Sequence, residues 1–307
     1  MNLMSSTVSN VPVSPAALAA SADAEPVKET VIEPKKGWIG VDWPELSRGR
    51  ELLYFLVWRD VKVRYKQATL GVLWAVLVPL IQVAIFSIIF GSGLNLASQL
   101  SPKVQHAFPV FIFAAMLGWQ VINRSLNEGG LSLVSQQHLL TKIYFPRLFV
   151  PTSAVGGAMF DMLISLPVFV VVMAFYRVVP PWTVVFFPFL MLLTAMLGAG
   201  LAYTVSALTV TYRDLRFVIP FAAQIWMYLS FVMFPVPESI ANSPKWKVLF
   251  HFNPAYGIVT TFRKVLMGES PGWSWTYLAS SIVITVVLLI FGLFYFKKTE
   301  RRFADIA

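Results

Sequence analysis

Residues 149–175 read FVPTSAVGGAMFDMLISLPVFVVVMAF, and Asp161 is the only charged residue among them. An α-helix needs about 20 mostly apolar residues to cross the hydrocarbon core of a bilayer. A transmembrane β-strand would instead show about 10 residues in which apolar and polar side chains alternate, and this stretch has no such alternation. The segment therefore predicts a membrane-spanning helix and indicates an all-α integral membrane protein.

The rest of the chain repeats this pattern. Of its 307 residues, 57% are hydrophobic and 13% are charged, whereas soluble domains carry about 25% charged residues. Six spans are predicted, at about 70–90, 107–126, 149–175, 182–210, 217–235 and 277–296. Residues 1–43 are rich in Ala, Ser, Pro and charge and have no apolar helical period. They are expected to form a disordered cytoplasmic tail, which leaves 44–307 as the membrane domain.

The distribution of Lys and Arg predicts the orientation. If both termini are cytoplasmic, the cytoplasmic segments from residue 44 onward hold fourteen Lys and Arg residues. The outer segments hold six. Cytoplasmic loops carry the excess of positive charge in membrane proteins. Four of the outer charges, Lys245, Lys247, Arg263 and Lys264, lie in one loop and count against this orientation. The other segments agree, and both termini are therefore expected inside. Loop charge of this kind also accounts for the net charge of +9 without a nucleic-acid partner.

The segment before the first span, ELSRGRELLYFLVWRDVKVRYKQ, has a helical period. Leu53, Val57 and Val61 fall on one broad face with Tyr54, Trp58 and Tyr65, while Arg59, Lys62 and Lys66 cluster on the other and Arg64 breaks the pattern. Such an amphipathic helix is expected to lie in the membrane interface, with its basic side toward anionic headgroups. A basic anchor without a mechanical role explains the same pattern.

Two further segments lie outside the predicted spans. Residues 135–144 form a predicted short cytoplasmic helix, and the following prolines, Pro146 and Pro151, end it and start the next span. This helix could dock into a groove on a soluble partner or serve as an ordinary linker. The outer segment 236–276 contains apolar pieces too short to span, such as 254–267, which are expected to re-enter the outer half of the membrane.

The sequence excludes several kinds of chemistry. It has no cysteine, no GxxxxGK[ST] phosphate loop, and three histidines without metal-ligand spacing. We therefore expect no catalytic or metal site in this chain. Asp161, near mid-depth of the third span, is the intramembrane charge that a proton-coupled carrier would need, or a carboxylate hydrogen-bonded between helices. One such residue makes a carrier with a proton relay a weak interpretation.

Aromatic residues are abundant in the spans. Sugar rings stack on aromatic faces, so an aromatic-lined channel would suit a glycan, although most of these rings are expected to face lipid, core or interface. The candidates for the lining of such a channel are Trp74, Trp119, Tyr203, Trp226 and Tyr228.

Several blocks of the sequence, in order, resemble bacterial ABC-exporter permeases of the polysaccharide and polyol-phosphate class, which export O-antigens, capsules or teichoic acids. The resemblance covers about residues 45–300. The blocks are RDVKVRYKQATLGVLWAVLVPL at 59–80, KIYFPRLFVP at 142–151, FDMLISLPVF at 160–169, LTVTYRDLRFVIPFAAQIWMYLSFVMFPV at 208–236 and FNPAYGIVTTFRKVLMG at 252–268.

The resemblance implies a six-span homodimer in the bacterial cytoplasmic membrane. Two copies of a separate ATPase subunit would bind ATP and Mg, and the substrate would be a lipid-linked glycan. The 45–66 helix becomes a gate helix whose Arg59, Lys62, Arg64 and Lys66 hold the lipid pyrophosphate. The short cytoplasmic helix becomes the coupling helix to the ATPase, and its candidate contact residues are Gln137, His138, Lys142 and Tyr144.

Other functions also fit parts of the sequence. A teichoic acid exporter, or an ABC permease for a small drug or free lipid, would keep the ATPase partner and change the cargo. A secondary carrier would transport without ATP and depend on Asp161. A membrane scaffold without transport would leave the cytoplasmic helix without an evident use.

Overall fold

The computed structural model describes residues 49–66, 73–136 and 146–300, all of which belong to one compact unit, Ile39–Ala307. These residues form helices joined by turns, and no strand occurs among them. The principal helices are α1 (Arg50–Lys66), α2 (Leu73–Phe86), α3 (Phe108–Arg124), α4 (Phe149–Phe175), α5 (Phe187–Thr211), α6 (Leu215–Leu229), α7 (Pro244–Phe252), α8 (Pro254–Met267) and α9 (Trp275–Glu300).

Helix α3 is the centre of the bundle. Every residue from 110 to 117 is buried, because α4, α5 and α8 pack around it. Helix α3 then continues through a π-helical turn, Ser125–Gly129, into a last short helix, Gly130–Ser135. π-turns inserted in α-helices are often found at functional sites. This turn lies between the bundle core and residues 137–145, which include most of the predicted coupling helix and lie outside the described residues.

Four helical segments in the described part of the chain are long and apolar enough to cross a membrane. They are Val76–Gly93, Phe149–Phe175, Trp182–Thr211 and Trp275–Glu300. Helix α6 is apolar but shorter, and it ends at Leu229 rather than continuing to the predicted 235. The chain leaves the helix there, with Phe231 at a φ of 52°.

The outer surface of the bundle is apolar. Large hydrophobic side chains on α2, α6 and α9 are exposed, among them Ile81, Phe217, Phe221, Val283 and Val287. A surface of this kind is unfavourable in water and suits the hydrocarbon of a bilayer.

Helices α5 and α9 approach each other closely because glycines face each other at their crossing. A Cβ atom on Gly200 would lie 2.8 Å from the Leu289 nitrogen, and one on Gly292 would lie 2.6 Å from the Gly200 carbonyl oxygen. Small residues permit this kind of backbone contact between membrane helices.

Candidate functional site

Helix α1 packs against α4 with only part of the apolar face that the sequence pattern predicted. Leu56 and Val61 are buried, and Val57 is so close to α4 that a Cβ on Gly156 would be 2.7 Å from its Cγ2. Tyr54 and Trp58, predicted on the same apolar face as Val57, are instead exposed. The difference arises because polar side chains of α1 find partners on α3 and α4 and so occupy part of the buried face.

Asp161 lies at the centre of this polar contact. Its Oδ2 accepts a hydrogen bond from Arg124 Nη1, and its Oδ1 accepts one from the hydroxyl of Tyr65. Arg124 also donates to the Gly157 carbonyl oxygen at 2.9 Å. Asp161 therefore joins α1, α3 and α4 through a carboxylate whose side chain is 21% exposed. This is the arrangement of a carboxylate hydrogen-bonded between helices.

Glu128 extends the cluster through the π-helical turn. Its Oε2 accepts from Arg64 Nη2 at 2.6 Å and from Arg124 Nε at 2.8 Å. Glu128 therefore accepts from arginines of two different helices, α1 and α3. Burial, followed by the hydrogen bond to Asp161, raises the pKa of Tyr65 well above its usual value, so its hydroxyl remains a donor. We call these five residues, Arg64, Tyr65, Arg124, Glu128 and Asp161, the α1 latch.

A second polar group reinforces the attachment of α1. Arg59 Nη2 donates to Asp60 Oδ1 at 2.8 Å and to Gln136 Oε1 at 2.9 Å. The Ser153 hydroxyl, at the start of α4, donates to Asp60 Oδ2 at 3.1 Å. Gln136 is the last residue described at the start of the predicted helix 135–144, so α1 is hydrogen-bonded directly to the start of that segment.

A cleft of about 1020 Å³ lies between these groups, and α1, α4, α6 and the end of α3 form its walls. Its charged lining residues are Arg59, Asp60, Arg64, Arg124 and Glu128. Each of these arginines already has a carboxylate partner. Among these pairs, Arg64–Glu128 joins α1 to the end of α3 and must break if α1 moves away, whereas Arg59–Asp60 lies within α1 and Arg124–Asp161 joins α3 to α4.

The four basic residues predicted to hold pyrophosphate fall into two groups. Arg59 and Arg64 are engaged in ion pairs within the protein. Lys62 and Lys66 are exposed on the opposite side of α1, where Lys62 Nζ lies 5.6 Å from the centre of the Trp58 ring. The two lysines make no ion pair with any residue in ranges 49–66, 73–136 and 146–300. The predicted coupling residues Gln137, His138, Lys142 and Tyr144 lie outside these ranges.

The five candidate aromatics do not line one surface. Trp119 and Tyr203 are 4% and 6% exposed, and both are packed inside this chain, so neither ring presents a surface to a path in this conformation. Trp226 is half-buried against Trp119, with ring centres 5.8 Å apart. Trp74 and Tyr228 are exposed, on α2 and α6. The structure separates these rings by their burial. The sequence pattern could not, because hydropathy does not distinguish a core-facing aromatic from one that faces a channel.

Sequence reasoning missed several members of this site. Glu128 carried a usable signal, because it lies four residues after Arg124 and pairs at this spacing share one side of a helix. Nothing local indicated that Tyr65 or Asp60 would be polar partners. Arg263 was counted as a charge of the outer loop, yet its side chain is buried inside the bundle.

Comparison with known proteins gives relatives along most of the chain. It is 28% identical over 261 residues to the O-antigen export system permease protein RfbA of Myxococcus xanthus. This alignment covers 85% of this chain and 97% of that protein. It is 26% identical over 258 residues to RfbA of Klebsiella pneumoniae, covering 83% and 95% of the two chains. It is 25% identical over 260 residues to the polysialic acid transport protein KpsM of Escherichia coli, covering 79% and 91%.

The resemblance seen in the sequence blocks is thereby confirmed. The family model described as ABC-2 type transporter matches residues 51–267, which include the α1 latch, the core helix α3 and both short helices α7 and α8. This match extends over most of the chain, and the protein belongs to the ABC-2 type transporter family.

Proposed function

We propose that this chain is the membrane subunit of an ATP-driven exporter that moves a lipid-linked polysaccharide, of the O-antigen or capsular type, across the bacterial cytoplasmic membrane. The observation that carries the proposal is the similarity, over nearly the full length of each relative, to permeases whose names specify O-antigen export and polysialic acid transport. Teichoic acid, or a small drug or lipid, is the alternative cargo for a permease of this family.

The proposed topology has six spans with both termini cytoplasmic. The four long apolar helices supply four of them. Helix α3 supplies another, since its continuation to Ser135 lengthens the helical path beyond the 17 residues of α3 itself. Helix α6 has 15 residues, or about 22 Å at 1.5 Å per residue, and the chain from 230 to 235 completes the crossing. Helices α7 and α8 are then the re-entrant outer pieces.

The active unit is proposed to be a homodimer with two ATPase subunits. The chain has no phosphate-binding loop of its own, so ATP and Mg would bind to the partner subunit. The exposed apolar faces of α2 and α6 support a contact between copies of the chain, and residues 137–145 are proposed as the segment that docks on the ATPase.

The α1 latch suggests how ATP could open the path. Closure of the ATPase dimer would move the coupling segment, and Gln136 and the π-helical turn would carry that movement to Arg59 and Glu128. Helix α1 would then leave its docked position as ion pairs exchange. Nucleotide and substrate shift this equilibrium only by their different affinities for the docked and undocked states.

The first test is depletion of the protein in its native cell. We expect lipid-linked glycan to accumulate on the cytoplasmic side and surface polysaccharide to disappear, because the membrane step alone is blocked. Separation of inner and outer glycan pools by accessibility to an impermeant glycan-cleaving enzyme measures this. Unchanged surface polysaccharide without accumulation would contradict glycan export and favour a drug or lipid as cargo.

Lys62 and Lys66 make no ion pair with the residues that the structure describes, and we expect K62Q/K66Q to reduce export more than it reduces protein level. Each lysine near an anionic surface contributes about 1 kcal/mol, so loss of both should weaken headgroup affinity by roughly 30-fold. Surface polysaccharide per unit of inserted protein is the measurement, at limiting substrate. The matched control is K245Q/K247Q, which removes two exposed lysines from α7. Equal export by both variants would rule out the headgroup role.

A further inference from the structure

Arg263 of α8 carries a charge that the proposed function does not yet use. It is 1% exposed, and within the described ranges no carboxylate is paired with it. A guanidinium taken out of water without a carboxylate loses much hydration free energy, which only well-placed hydrogen bonds can offset. The partners of Arg263 therefore indicate what it is retained for.

All the hydrogen bonds of this side chain go to backbone carbonyl groups of other elements. Nε donates to Phe111 O at 3.2 Å, and Nη2 donates to Phe231 O at 3.0 Å and Val232 O at 2.7 Å. Its guanidinium carbon also lies 3.7 Å from the centre of the Phe111 ring. Phe111 belongs to the core helix α3, whereas Phe231 and Val232 form the irregular turn after α6. One buried cation thus joins α8, α3 and the end of α6.

Asn253, which caps the start of α8, makes a second connection to the same end of α6. Its Oδ1 accepts from Trp226 Nε1 at 2.8 Å. Its Nδ2 donates to the Ser230 hydroxyl at 3.0 Å and to Leu229 O at 3.3 Å. The last turn of α6 and the irregular turn after it are therefore bonded to α8, through Asn253 at the start of that helix and Arg263 in its second half.

The first half of α6 has a different environment. Phe217, Val218 and Phe221 are exposed, and Ile219 is the one fully buried residue of this half. The cytoplasmic half of α6 is thus loosely held by this chain, while its outer end is fixed to the re-entrant pair α7 and α8.

We propose that Arg263 is a positioning residue for export, and that with Asn253 it forms a clamp that makes α8 follow α6. Movement that reaches α6 on the cytoplasmic side is then delivered to the outer side of the membrane. The inference rests on the proposed export function, since it assigns the outer helices their part in that cycle. An apolar side chain at this position would leave Phe231 O and Val232 O without the donors that Arg263 supplies.

The test uses the full chain in its complex with the ATPase subunits, reconstituted in vesicles. The chain has no cysteine, so F252C places one reporter thiol on α7, at a 74% exposed position beside Asn253. An environment-sensitive fluorophore on this thiol is expected to shift on addition of ATP and Mg. In the R263M background we expect this shift to be lost and export to fall about tenfold, within the range of couplings between distant sites, while ATP hydrolysis continues.

The matched control is K264M. Lys264 is the adjacent cation on α8, but its ammonium donates to Gly268 O at the end of that helix and lies over the Trp273 ring, so the shift and export should stay at the wild-type level. R263K should behave as R263M, because an ammonium does not reproduce the planar fork of donors. A purely structural role would instead lower ATP hydrolysis and export in parallel.

Retention of the ATP-dependent shift by R263M would overturn the clamp, whatever the export rate. If R263M does not assemble, W226F is the second variant, since it removes the indole N–H that bonds Asn253 and keeps an aromatic ring beside Trp119. We expect W226F to reduce the shift and export several-fold, and an unchanged shift would overturn the proposal. Absence of any shift in the F252C protein would also overturn it. A normal ATP-dependent fluorescence shift in the F252C protein without glycan export would instead contradict the proposed function, and it would not contradict the clamp.

Discussion

Asp161→Ala is expected to release α1 from the bundle and to abolish export. The substitution removes the carboxylate that accepts from both Arg124 and Tyr65, and Arg124 is only 10% exposed. Loss of one partner from a buried ion pair costs about 3–5 kcal/mol. We expect the lower end, about 3 kcal/mol, because Glu128 remains bonded to Arg124 and the Asp161 site is partly open.

The measurement is the alkylation rate of V57C, at a position where α1 lies directly against α4. In the otherwise cysteine-free chain, Asp161→Ala should speed alkylation strongly, and Asp161→Asn should have an intermediate effect because it keeps an acceptor oxygen. Asp214→Ala is the control, since Asp214 is an exposed carboxylate in the turn before α6. Asp214→Ala should change neither the alkylation rate of V57C nor the rate of export.

This experiment also separates the latch from a proton-coupled carrier. A carrier that protonates Asp161 would lose transport in Asp161→Asn while α1 stays docked and V57C stays protected. Loss of transport with an unchanged rate of V57C alkylation would therefore count against the latch. Asp161 would then be the residue that binds the transported proton.

Gly200→Leu is expected to prevent assembly of the bundle. The nearest atoms to an added Cβ are backbone atoms of Leu288 and Leu289, at 2.8 to 3.0 Å, so no side-chain rotation can make room. Overpacking of a well-packed core costs about 1–3 kcal/mol, and separation of two whole helices should exceed the upper value. The level of inserted protein and its thermal midpoint in detergent measure the effect, and even Gly200→Ala should be destabilised.

Gly91→Ala is the control for this prediction. Its added Cβ would meet the Phe108 ring at 3.0 Å, and a ring can shift where a backbone cannot. We expect nearly wild-type stability. Wild-type stability in Gly200→Ala would show that α5 and α9 can separate at little cost, and the close crossing would then not be a determinant of the fold.

The length and the apolar character of the helices could be read from the sequence. The predicted span 149–175 coincides with α4, and 182–210 and 277–296 correspond closely to Trp182–Thr211 and Trp275–Glu300. Hydropathy predicts these segments because each one satisfies its own backbone hydrogen bonds in lipid. The family could also be identified from sequence blocks whose order and spacing do not depend on side-chain packing.

The direction in which each side chain points, and the partner that each charged group binds, could not be read in this way. Sequence hydropathy gave no reason to place α3 at the centre, to turn Asp60 and Arg64 of α1 inward, or to bury Arg263. Asp161 was identified as a candidate, but its partners Tyr65 and Arg124 are 96 and 37 residues away in sequence.

The amino-acid sequence alone thus determined that this protein is a helical membrane protein, because the solvent preference of each segment is a local sum over its residues. Only the tertiary structure decided which charges bind one another and which helices they hold. The free energy of a buried ion or hydrogen bond depends on its partner's position in space, and that position is set by the packing of distant segments.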